Sequence, residues 1–86
     1  MDLNATPRLA AGCRLHPTEA LLLVPEGTLN LLGPARDVLM QLNGRQSVAV
    51  IVDELLKSYS GVSVDEMRRD VLCLLERMNQ RGVVRV

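Results

Sequence analysis

Aromatic residues are almost missing from this 86-residue chain, which has one Tyr, no Phe and no Trp. Its core must therefore be built from Leu, Val, Ile, Met and Ala, and base stacking on aromatic platforms is excluded as a main binding mode. An excess of charge is also missing. Ten Lys and Arg balance ten Asp and Glu. This argues against a nucleic-acid binder held by phosphate contacts, which would show a basic excess or stripe. The two cysteines, Cys13 and Cys73, are far apart, no C-x-x-C occurs, and His16 is the single histidine, so no metal site follows. Glycines occur singly, so there is no phosphate cradle and no cofactor is implied. No apolar run approaches the roughly 18 residues of a membrane span, and no basic start followed by an apolar stretch marks a secretory signal. A reduced, cytoplasmic protein is the expectation.

What is present is a 48% hydrophobic composition, enough for one packed domain over residues 1–86. Residues 1–11 read as a flexible lead-in, with Pro7 restricting its neighbours. A short strand is expected at Cys13–Leu15, stopped by Pro17. The apolar runs Ala20–Val24 and Thr28–Leu32 flank Pro25-Glu26-Gly27 and so predict a hairpin. Pro25 presets its own φ, and Gly27 supplies the positive φ of a three-residue loop.

Three helices follow. Pro34 suits a first helical position, and Ala35, Val38, Leu39 and Leu42 share one face before Asn43-Gly44. Ser47 caps a second helix whose period runs through Val48, Ile51, Val52, Leu55, Leu56 and Tyr59. Ser63-Val64-Asp65-Glu66 fits a capping box for a third, with Val62 stapling onto Met67 and Gly82 at the C′ position. The stripe of that helix is Val64, Met67, Val71, Leu74, Leu75 and Met78. Val83–Val86 reads as a short terminal strand. The fold class is α+β, a small N-terminal antiparallel sheet of about three strands followed by three α-helices, a winged-helix-like plan.

No catalytic constellation emerges. No Ser or Cys is placed to use His16 as a base, and His16 reads as a surface histidine. The cysteines read as small hydrophobes. The carboxylates fall on caps, turns and solvent faces; Asp65 and Glu66 suit a helix N-terminus. An enzyme is not expected. Arg68, Arg69, Arg77 and Arg81 give the third helix a basic lean, which interspersed acids explain more simply as a solvated face than as a DNA-reading helix.

Two features are less ordinary. The strand Thr28–Leu32 contains neither Pro nor charge, the usual protections of a sheet edge. An unprotected edge can take a peptide as an added strand. The third helix is also apolar beyond its core stripe, with Arg68, Leu72, Leu75 and Asn79 along one flank. Two readings of Leu72 stay open at this point: it packs beneath the hairpin, or its flank walls a groove floored by the strand edge.

The run Leu22-Leu23-Val24-Pro25-Glu26-Gly27-Thr28-Leu29-Asn30-Leu31 resembles the PqqD family. So do Ala35, Val38-Leu39, Gly44, Ser47-Val48, Ile51-Val52 and Leu55, and then Asp70-Val71-x-x-Leu74-Leu75-x-x-Met78-x-x-x-Gly82. The opening Pro7-x-Leu9-x-x-Gly12-x-Arg14-Leu15 is similar too. The sequence departs from the family where His16 replaces a common Asp, Val24 a frequent aromatic, and Leu32-Gly33 the usual Leu-Asn.

The resemblance implies a non-catalytic peptide chaperone of pyrroloquinoline quinone biosynthesis with the fold of a RiPP recognition element. It implies that the chain binds the precursor peptide PqqA as an added β-strand and presents it to PqqE, a radical SAM enzyme. The peptide site expected from the edge and the helix flank comprises Thr28, Leu29, Asn30, Leu31 and Leu32, with Leu72 and Leu75 as the pocket and Arg68 or Arg69 meeting acidic peptide residues. Two alternatives stand beside it: a winged-helix DNA-binding module, and a small oligomerisation domain forming a homodimer through the strand edge or by exchange.

Overall fold

The computed structural model describes residues 1–86. In chain order the elements are β1 (Arg8–Leu9), β2 (Arg14–Leu15), β3 (Leu21–Val24), β4 (Gly27–Asn30), α1 (Ala35–Met40), α2 (Val48–Ser58), α3 (Val64–Gln80) and β5 (Val84–Arg85). Strands β2, β3 and β4 form an antiparallel sheet in that order. A second antiparallel pair joins β1 to β5. The class is α+β as expected, with the second sheet as an addition. No helix is long and apolar enough to cross a membrane.

The hairpin forms where its turn chemistry predicts. Pro25 and Glu26 make the turn, and Val24 faces Gly27 across it. Glu26 keeps a negative φ while Gly27 sits at φ +146°, a region that only glycine occupies without strain. Leu22 on the inner face is fully buried and heads a core completed by Val38, Leu39, Ile51, Leu75 and Val84.

The helix ends follow their caps. Ser63 Oγ accepts from Glu66 N at 3.1 Å. At the other end of α3, Val83 N donates to Met78 O and Gly82 N to Asn79 O, with Gly82 at φ +79°. This is the Schellman pattern, with glycine in the left-handed position. Helix α1 stops at Met40, short of the expected Leu42, and Pro34 is its N-cap rather than its first residue. Asn43 Oδ1 accepts from Arg45 N and Gln46 N and so favours a turn over another helical residue.

Residues 1–11, expected to be a flexible lead-in, are tied to the domain. Leu3 O accepts from Ala49 N and Ala5 O from Val48 N, while Ser47 Oγ accepts from Val50 N. These contacts satisfy the first amide donors of α2, which a helix cannot satisfy internally. Pro7 is buried, its carbonyl accepts from Gly44 N, and Arg8–Leu9 pairs with β5.

His16 has a structural role. Its Nδ1 accepts from Thr18 N at 3.2 Å and Glu19 N at 3.0 Å, as an Asp side chain does in an Asx turn. Tyr59, just after α2, donates its hydroxyl to Asp37 Oδ2 at 2.5 Å and ties that end to α1. This bond holds the phenol above its ordinary value, reinforced by burial and by the Asp37 charge.

Two outcomes follow. His16→Ala will lower unfolding stability by about 1 kcal/mol in urea titrations, whereas His16→Asp will retain it. Because the phenol of Tyr59 is raised in the folded state, its contribution is complete below pH 10 and is lost as pH climbs through the raised value. Tyr59→Phe will therefore melt below the parent at pH 7, and the gap will close above pH 10.

Candidate functional site: an open strand edge beside a trough

Along an antiparallel pair, opposed residues alternately exchange both backbone bonds or none. Leu31 N donates to Ala20 O at 2.8 Å, which continues the register Leu22↔Leu29 and Val24↔Gly27. Leu29 and Gly27 thus turn their backbone groups inward to β3. Thr28 and Asn30, the intervening residues, turn theirs away from the sheet. His16 N donating to Leu21 O supports the same phase, because Leu21 faces Asn30 and uses its carbonyl on the residue that follows β2 instead. The open edge therefore offers an N–H and a C=O at Thr28 and again at Asn30.

The opposite edge offers no such row. Strand β2 is two residues long, and beyond it the carbonyls of His16, Pro17 and Glu19 accept from the Arg36 guanidinium at 3.1–3.2 Å. Strand β4 (Gly-Thr-Leu-Asn) has no charge and no Pro, so nothing within it discourages pairing.

The open edge looks onto a trough whose far wall is α3. Near Asn30 a depression of about 300 Å³ lies between Leu31, Leu32 and Ala35 on one side and Leu74, Arg77, Met78 and Arg81 on the other. Past Leu32 and Pro34 it continues into about 220 Å³ bordered by Asp70, Cys73 and Leu74. Toward the hairpin turn it opens into a cleft of about 800 Å³ that reaches β1 and β5. Successive depressions share residues, Arg81 at one junction and Leu32, Ala35, Leu74 and Arg77 at the other.

The site residues expected from sequence separate into three groups. Thr28, Leu29 and Asn30 lie in β4 at the open edge. Leu32 lies just past the strand, 82% exposed at the mouth of the trough, whereas Leu31 is buried and its N–H is engaged by Ala20. On α3 the wall is formed by the flank opposite the one expected. Leu75 is fully buried in the core and has no surface to give. Leu72 and Arg68 lie on the other side of the core stripe, the side on which Glu76 bonds the Met1 amino group and Asn79 Nδ2 donates to Val84 O. Arg69 points to solvent.

By periodicity Leu74 belongs to the core stripe and Arg77 and Arg81 to a solvent face, yet all three line the trough. The available signal was the spacing Leu74, Arg77, Arg81, which keeps an apolar and two basic side chains on one side of the helix. Cys13 and Cys73 are free thiols. No group of three or more His, Cys, Asp or Glu side chains converges to hold a metal ion.

A three-helix α+β domain with an open strand edge beside an amphipathic trough has the architecture of a peptide-accepting module. The chain belongs to the PqqD family: the family model for coenzyme PQQ synthesis protein D matches residues 19–84. Among solved structures it is similar to the NMR structure of the PqqD truncation of Methylobacterium extorquens PqqCD, which represents a functional, stand-alone RiPP recognition element. The two share 31% identity and a TM-score of 0.77, over 93% of this chain and 88% of that one. No curated protein matches significantly.

The hydrogen-bond phase of β4 has a measurable consequence. Leu29→Pro removes an inward donor and will cost roughly 1–3 kcal/mol of unfolding stability. Asn30→Pro removes an outward donor and will leave the urea midpoint close to that of the parent.

Proposed function

We propose that this domain is a peptide-recognition element of PQQ biosynthesis. It accepts an extended stretch of the precursor peptide PqqA as a fourth strand on β4 and presents it to the radical SAM enzyme PqqE. The observation that carries this reading is the outward N–H and C=O pairs of Thr28 and Asn30, lying along a trough on the one edge of the sheet that is left open. The family membership and the neighbouring RiPP recognition element support it.

Magnitudes decide how the site must work. Four backbone bonds contribute a net ~2–6 kcal/mol at ~0.5–1.5 each. Ordering five residues of a flexible peptide costs about 5–10 kcal/mol in backbone entropy alone. The strand pairing therefore cannot hold the guest unaided, and apolar burial must supply the difference. Leu32, Ala35 and Leu74 provide that surface, and Arg77 provides a charged contact beside it. Backbone pairing is indifferent to sequence, so these side chains set register and choice of guest.

The domain itself carries out no bond chemistry in this reading. Its contribution is to hold the peptide in an extended form at raised local concentration for the enzyme.

The direct test is an NMR titration of the labelled domain with synthetic PqqA. The amides of Thr28, Asn30 and Leu32 and of the Leu74–Arg81 flank are expected to shift and, at Thr28 and Asn30, to gain protection from exchange. Shifts confined to other faces would overturn strand addition. Leu74→Asp, checked for folding by its own spectrum, is expected to weaken binding at least ~10-fold, whereas Leu72→Asp, on the other flank, will bind as the parent does.

A further inference from the structure

The wide end of the trough is unusual in its charge. The cleft between the hairpin turn and the terminal strands is bordered by Arg8 on β1, Arg81 at the end of α3 and Arg85 on β5, with Glu26 as its one acidic residue. None of the three arginines forms an ion pair; the ion pairs in the structure are Met1 with Glu76 and Lys57 with Glu54. Arg8 and Arg85 are also direct partners across the β1–β5 pair. Directly opposed residues project to the same face with their Cβ atoms close together, and like charges in that position are destabilising. The aliphatic stem of Arg8 lies against Gly44, which limits its freedom to swing away.

A two-strand sheet that places guanidinium opposite guanidinium, with a third at the adjacent helix end, is built at a cost in the empty state. An anion in the cleft reverses that cost, because guanidinium groups bind carboxylates through paired, charge-assisted hydrogen bonds. The cleft is continuous with the open edge at Thr28 and Leu29, which border both. The other end of the trough, around Leu32, Pro34, Val38 and Leu74, is mainly apolar.

We infer that the cleft formed by Arg8, Arg81 and Arg85 is a carboxylate-binding subsite that takes an acidic segment of the guest peptide. The guest is thereby oriented along β4, with its acidic segment at the hairpin-turn end and its apolar side chains at the α1 end. This inference rests on the strand-addition reading for the position of the guest and adds the chemistry and polarity of what is recognised.

The experiment uses the labelled domain with three probes: synthetic PqqA, the same peptide with every Glu and Asp replaced by Gln and Asn, and hexaglutamate. Hexaglutamate is expected to shift the amides around Arg8, Arg81 and Arg85 and to lose its effect in added salt. The amidated peptide is expected to bind about fivefold or more weakly than the acidic one. Arg85→Gln is expected to erase that difference while raising the melting temperature of the free domain by ~1–4 °C, since it removes a like-charge pair.

The failures are separable. If the parent domain binds the acidic and amidated peptides equally while both shift β4, the subsite is wrong and strand addition stands. If hexaglutamate shifts the cleft but no peptide perturbs β4, strand addition falls and the polarity along β4 falls with it, leaving a carboxylate site without the guest. If hexaglutamate leaves the cleft unmoved, the subsite is overturned. Arg8→Gln serves as the second variant should Arg85→Gln fail to fold.

Discussion

The functional reading depends on one property of paired strands: along an antiparallel ladder only every second residue uses its backbone groups on a given neighbour. In β4 the inward residues are Gly27 and Leu29, so Thr28 and Asn30 keep a donor and an acceptor each on the open side. Here the helices are committed to the inner face, where Leu22 and Leu29 pack. Groups exposed on such an edge can be satisfied by water. The contrast with β2 shows that this openness is selective within the molecule, since Arg36 occupies the carbonyls beyond that strand.

Much of this architecture is legible in the residues. The Pro-Glu-Gly corner, the serine caps at 47 and 63 and the glycine at 82 each act through local geometry, and each appears where its chemistry places it. The edge strand was legible for the same reason, because an uncharged run without Pro after a tight turn has few other fates. The β1–β5 pair was not. Two-residue strands carry no periodicity, and their pairing is decided by the opposite end of the chain. The contribution of Leu3 and Ala5 to the start of α2 was hidden likewise, since every residue carries a backbone carbonyl and no side chain marks which one will be used.

The α3 wall shows a different kind of loss. A helical wheel gives both flanks of the stripe Met67, Val71, Leu75 and Met78, but which flank meets β4 depends on how the helix rolls against the sheet. That roll is set by packing among all three helices. Leu72 and Leu74 are both partly buried, so apolarity alone did not separate them. Charge was equally opaque in bulk. A formal net charge of zero conceals the gathering of arginines along the trough and at its wide end.

The pairing of Arg8 with Arg85 also couples the last strand to the segment before the first helices. The chain ahead of β1 runs on to the start of α2, where Leu3 and Ala5 lend their carbonyls, and leaves the Met1 amino group at Glu76. Loosening β5 would therefore free the lead-in and, with it, two of the groups that satisfy the first amides of α2.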